Sequence, residues 1–93
     1  MALARLGSFH MRRDQWELAQ GYLQKAVEHT PPQAPLAFRV KTRLQLGDCW
    51  EALGNTAAAA AEYRAAEALD PSAAKLHQQL RRAAGPQPKK PGS

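Results

Sequence analysis

Leu46-Gly47-Asp48-Cys49-Trp50, followed after a short turn by Ala59, Tyr63, Ala66 and Asp70-Pro71, has a looser copy of itself forty residues earlier in this chain of 93. Leu6-Gly7 falls on Leu46-Gly47, Ala19 on Ala59, Leu23 on Tyr63, Ala26 on Ala66 and Pro31 on Pro71. A fixed period of that size marks a repeat architecture, in which a unit covers its apolar face only with help from its neighbours. The positions that recur as Gly or Ala have almost no side chain, so paired helices can approach closely there while larger residues fill the gaps beside them. Each copy is therefore predicted to be two helices joined by a tight turn.

The first helix is expected over Ala2 to Arg13, with Leu3, Leu6, Phe9 and His10 as its buried stripe. Asp14 and Glu17 have the spacing of a capping box, which predicts that Asp14 ends the first helix and caps the second. The second helix is expected over Gln15 to His29, burying Trp16, Ala19, Leu23 and Ala26. Pro31, Pro32 and Pro35 make a stiff connector, and Pro35 is well suited to the first position of the third helix. That helix should run to Leu53 and stop at Gly54 in the left-handed conformation. Asn55 and Thr56 offer caps for a fourth helix, Ala57 to Leu69. Asp70-Pro71 should open a fifth that buries Leu76, Leu80 and Ala84 and ends at Gly85-Pro86. Gly85 to Ser93 has nothing to bury and is expected to be a disordered basic tail.

The spacing resembles the tetratricopeptide repeat (TPR), on Leu3, Leu6, Gly7, Ala19, Leu23, Ala26 and Pro31 in the first copy. In the second copy it rests on Leu46, Gly47, Trp50, Ala59, Tyr63, Ala66 and Pro71. The family's pattern has an aromatic where His10 stands and Trp where Arg43 stands. Its unit is also shorter than the offset here, which places six extra residues around Thr30 to Pro35. The resemblance implies an all-α, right-handed helical-hairpin solenoid over residues 2–84. It would have repeats at about 2–31 and 40–71 and a capping helix at about 71–84. Two repeats and a part fall short of the roughly three that a stable solenoid usually needs. A piece or terminus of something longer is therefore expected.

The formal charge of +5 is unevenly placed. Eight basic and eight acidic residues balance up to Asp70, and the surplus comes wholly from Lys75, Arg81, Arg82, Lys89 and Lys90. One cysteine makes no intramolecular disulfide, so the chain fits a reducing compartment or is indifferent to redox, and a cytoplasmic setting is expected. Met1 to Phe9 is too short, and too interrupted by Arg5, for a signal peptide.

Residue chemistry argues against an enzyme. Ser8, His10 and Asp14 have the types of a catalytic triad, but Ser8 and His10 stand two apart on one helix and face away from each other. His10, His29 and His77 lack a Cys, His or acid at ligand spacing, Cys49 reads as a small buried residue, and there is no phosphate-binding Gly-rich loop. No cofactor is implied.

Surface recognition remains. In the resembled family the first helix of each repeat lines a concave groove, which implies inward positions for Arg5, Ser8, Arg12, Lys41, Gln45 and Asp48, with Lys75 and Gln79 from the fifth helix. Co-chaperone members grip a terminal carboxylate with Lys, Asn, Asn, Lys and Arg. The matching positions here hold Ala4, Ser8, Gln45, Lys75 and Gln79, which disfavours that clamp. The expected function is a protein-interaction module, an adaptor or scaffold, holding a partner peptide or helix, with Arg5, Arg12 and Lys41 favouring acidic partners. The competing reading is a C-terminal structural cap of a longer solenoid, with Leu3, Leu6 and Phe9 packing on upstream repeats or a second copy. A third, disfavoured reading has Arg81-Arg82 and Lys89-Lys90 touching nucleic acid or an anionic membrane. Four charges without interleaved aromatics make only a sequence-blind signal.

Overall fold

The computed structural model describes residues 2–83, which form five α-helices and, among the described residues, no strand. They are α1 (Ala2–Arg12), α2 (Trp16–His29), α3 (Leu36–Ala52), α4 (Thr56–Leu69) and α5 (Pro71–Ala83). Each helix packs mainly on its neighbours in sequence, with smaller contacts between α1 and α3 and between α3 and α5. The result is elongated, 43 × 26 × 20 Å. Ala84 and the expected tail lie outside the described residues.

The forty-residue offset is visible in the backbone. α2 and α4 have equal length, and their ends differ by forty residues at both termini. The turn before each is the same. The Gln15 amide donates to the His10 carbonyl at 2.9 Å and the Asp14 amide to Met11 at 3.0 Å. Asn55 donates to Trp50 at 2.9 Å and Gly54 to Glu51 at 3.0 Å. This is the Schellman arrangement, which needs a left-handed residue just past the helix. Gly54 supplies it with φ 87°, and Asp14 supplies it with φ 58°.

Asp14 is therefore the C-terminal stop of α1 and not the cap of α2, which corrects the capping-box expectation. Gln15 occupies the cap position, and its side chain makes no cap hydrogen bond. A residue committed to the left-handed region cannot also supply the extended backbone that an N-cap needs. α4 and α5 are capped by side chains, α4 by Asn55, one of its two expected caps, and α5 by Asp70. Asn55 accepts from the Ala58 amide at 3.0 Å, and Asp70 accepts from Ser72 and Ala73 at 3.1 and 3.2 Å. Pro35 sits at the cap of α3, one residue before the first helical position. The extra length appears both in the 30–35 connector and in α3, which has 17 residues against 11 in α1.

The glycines are close-packing notches. A Cβ on Gly7 would lie 2.5 Å from Leu23 Cγ, and one on Gly47 would lie 2.6 Å from the Tyr63 ring. Leu23 and Tyr63 are themselves forty residues apart, so one helix–helix contact is built twice with different fillings. Two cores result. Ala19, Leu23, Leu46 and Cys49 pack with Met11, Trp16, Val27 and Trp50, while Val40, Leu44 and Ala66 pack with Tyr63, Leu69 and Ala73.

Two buried stripes differ from expectation. α1 buries Ala4 and Gly7, leaving Leu6 at 40% and Phe9 at 45% exposed. The notch faces α2 at its small residues, which turns the large ones of the helix outward. α5 buries Ala74, while Leu76 and Leu80 are 55% and 60% exposed. The side it turns toward α3 carries His77 and Arg81, drawn there by acidic partners on α3.

Candidate functional site

α1 and α3 meet along a seam where the Ser8 hydroxyl donates to Gln45 Oε1 at 3.2 Å. Beside it is a depression of about 510 Å³ lined by Ala4, Arg5, Ser8, Arg12, Phe38, Lys41, Thr42 and Gln45. Five of the eight groove residues expected from the sequence, Arg5, Ser8, Arg12, Lys41 and Gln45, are thus brought together. Arg5, Arg12 and Lys41 are exposed, and the described residues lining the depression include no acid. Ala4, Phe38 and Thr42 complete the lining and were not singled out by the sequence. Phe38 gives the depression an aromatic wall at the start of α3. Thr42 is buried and donates to the Phe38 carbonyl at 2.8 Å, so its hydroxyl proton is engaged.

Lys75 and Gln79 are exposed on α5 and do not line this depression. Asp48 is half-buried and its carboxylate is engaged from two other helices. The Tyr63 hydroxyl donates to Oδ1 at 2.6 Å, His77 Nε2 lies 3.1 Å from both oxygens, and Arg81 Nε lies 3.5 Å from Oδ1. Arg81 also pairs with Glu51 and lies over the Tyr63 ring, 5.4 Å from its centroid. Asp48 therefore ties α3, α4 and α5 together. Burial, then the hydrogen bond and charge of Asp48, push the Tyr63 hydroxyl pKa upward. Burial, reinforced by Asp48, pushes the Cys49 thiol up to about 12, so it stays protonated and poorly nucleophilic.

The two departures from the resembled pattern have local explanations. His10 stacks on Tyr22 with centroids 5.3 Å apart and rings 6° from parallel, and meets Phe9 edge-on, so it packs as an aromatic. Arg43 pairs with Glu62 of α4 at 2.9 Å, using charge where a large ring is usual.

Charge separates by helix. α1, α3 and α5 carry eight Lys/Arg and two acids, Asp48 and Glu51, both engaged by α5. α2 and α4 carry two Lys/Arg and four acids. The balanced total up to Asp70 thus conceals a cationic α1 and α3, with five Lys/Arg against two acids, to which α5 adds three more basic residues. The described residues contain no cluster of His, Cys, Asp and Glu arranged to hold a metal, and no helix among them is long and apolar enough to cross a membrane. Comparison of the chain with protein-family models, curated proteins and solved structures finds no match.

Proposed function

We propose that this chain is a TPR-like, right-handed stack of two helical hairpins closed by α5, acting as a non-catalytic protein-interaction module. Its α1/α3 face would hold an acidic peptide or helix from a partner. The observation that carries the reading is the depression at that face, where Arg5, Arg12 and Lys41 stand around an apolar wall with no acid among the described lining residues. Cations in such a setting steer acidic partners and form charge-assisted hydrogen bonds with carboxylates. Ser8 and Gln45 add neutral polar atoms, and Lys75 and Gln79 would extend the surface along α5. No cofactor enters this reading. A single, buried Cys49 is compatible with work in the cytoplasm.

The test is selection from a displayed random-peptide library, followed by titration of the winners against an Arg5→Ala/Arg12→Ala/Lys41→Ala variant. Enrichment of Asp and Glu, with affinity falling on the order of tenfold or more in the variant, is the expected result. Winners without acidic preference, or equal binding by the variant, would contradict it.

A second reading draws on the exposed Leu6 and Phe9, which give α1 an apolar outer side. This side would pack on upstream repeats of a longer solenoid or on a second copy. Sedimentation equilibrium on the 93-residue chain tests the second-copy form. Association abolished by Phe9→Glu supports it, and a strict monomer at all concentrations removes it.

A further inference from the structure

α2 and α4 do not pack on each other, and the C-terminal parts of both border a second cleft of about 390 Å³ over α3. It shares only Thr42 with the α1/α3 depression and opens on a different side of α3. The long connector makes one end of it, through Pro32, while Val27 of α2 and Ala68 and Leu69 of α4 contribute apolar walls. Arg39 and Arg43, one turn apart on α3, supply the charge. Arg43 is engaged by Glu62, whereas Arg39 is half-buried and pairs with no carboxylate among the described residues. A partly desolvated guanidinium without a counter-charge gains from any carboxylate brought to it, and Arg holds carboxylates in a two-pronged geometry.

We infer that this cleft is a second docking surface, receiving a segment of a partner protein with an aliphatic side chain beside an Asp or Glu. The aliphatic group sits between Val27, Pro32 and Leu69, and the carboxylate meets Arg39. The cleft is half-open along two helices and lies near the small end of the range for enclosed ligand sites, so it suits one or two side chains of a passing segment better than a whole small molecule. This inference does not depend on the α1/α3 reading, because the two surfaces have separate cations.

The experiment is amide chemical-shift mapping of the ¹⁵N-labelled full chain with three capped pentapeptides: Gly-Leu-Glu-Leu-Gly, its Gln counterpart Gly-Leu-Gln-Leu-Gly, and Gly-Ser-Glu-Ser-Gly. The first should shift amides around Val27, Arg39 and Ala68, and the two controls should not. Arg39→Gln should weaken the response about tenfold, the scale of one lost charge-assisted contact. Ala68→Phe, a change at an exposed position that fills the cleft without entering the core, should abolish it. The Arg5→Ala/Arg12→Ala/Lys41→Ala variant should respond like the wild type. Shifts confined to the α1/α3 face, an equal response to the Gln peptide, indifference to Arg39→Gln, or no shift at millimolar peptide would each overturn the inference.

Discussion

The first hairpin, α1 and α2, and the second, α3 and α4, share a turn and a notch but close their outer sides differently. In the first, Gly7 meets the fully buried Leu23, and Leu6 and Phe9 are left exposed. In the second, Gly47 meets the rigid Tyr63 ring, whose hydroxyl is held by Asp48, and α5 closes over both through His77 and Arg81. Spacing of small residues sets the backbone contact. The identity of the larger residue in the notch then decides whether the next layer is joined by apolar packing or by polar bonds.

Filling the notches should separate the two hairpins most strongly. Gly47→Val should cost roughly 3 kcal/mol, because the Tyr63 ring is rigid and tethered to Asp48. Gly7→Val should cost less, because displacing Leu23 breaks no hydrogen bond, whereas displacing Tyr63 also strains its bond to Asp48. At about 4–8 °C per kcal/mol for a domain of this size, thermal melts separate the two. Gly21→Ala is the control: apart from the adjoining backbone of its own helix no atom lies within 4 Å of its added Cβ, so it should stabilise by about 0.5–1 kcal/mol through helix propensity. Equal losses at Gly7 and Gly47 would refute the distinction between the fillings.

Next comes the polar closure. Asp48→Ala removes the acceptor of Tyr63 and the partner of His77, and should destabilise by about 1–3 kcal/mol. Faster amide hydrogen exchange in α5 than in α1 would show that the loss falls on the docked fifth helix. Its forty-residue counterpart is Ser8, and Ser8→Ala should cost no more than about 1 kcal/mol.

The hairpins should also differ in alkali. Cys49 and Tyr63 have counterparts Phe9 and Leu23 that do not titrate. Both second-hairpin groups have folded-state pKa values raised above their ordinary values of 9.0 and 10.0. Below pH 9 they are protonated in the folded and unfolded chains alike, and their contribution is fully present. As pH rises, the unfolded chain loses these protons first, so stability falls, by roughly 1–2 kcal/mol at pH 10. Melts of wild type and Cys49→Ala between pH 8 and 10.5 measure it, with a shallower slope expected in the variant. Equal slopes would contradict the assignment to the buried thiol.

The smallest effect lies in the turns. Asp14 holds a positive φ that Gly54 adopts without steric cost, so Asp14→Gly should stabilise by up to about 1 kcal/mol, and Gly54→Ala should destabilise by a similar amount.

Much of the backbone was legible because it follows from spacing. The helix pairs, the Gly54 stop, the Asn55 and Asp70 caps and the close approach at Gly7 and Gly47 are all local or periodic features. Asp14 misled because Asp serves both N-caps and left-handed stops, and only the aligned Gly54 distinguishes the two. The orientation of α5 was not legible. Leu76 and Leu80 form the obvious apolar stripe, yet the opposite choice is made by Asp48 and Glu51, more than twenty residues away in sequence, whose pairing with His77 and Arg81 has no local signature. The seam carrying Arg5, Arg12 and Lys41 follows from helix phase, whereas the part played by Phe38 depends on how far the lengthened α3 extends. The second cleft was invisible for the same reason, since it arises from the connector and the separation of α2 from α4.

The cationic α1/α3 face is proposed as the surface that takes an acidic partner. Its most direct test is titration of the ¹⁵N-labelled chain with a capped deca-glutamate peptide, read residue by residue. The largest amide shifts are expected at Arg5, Ser8, Arg12, Lys41 and Gln45, and are expected to be lost in the Arg5→Ala/Arg12→Ala/Lys41→Ala variant. Absence of shifts there, or shifts centred on α2 and α4, would contradict it.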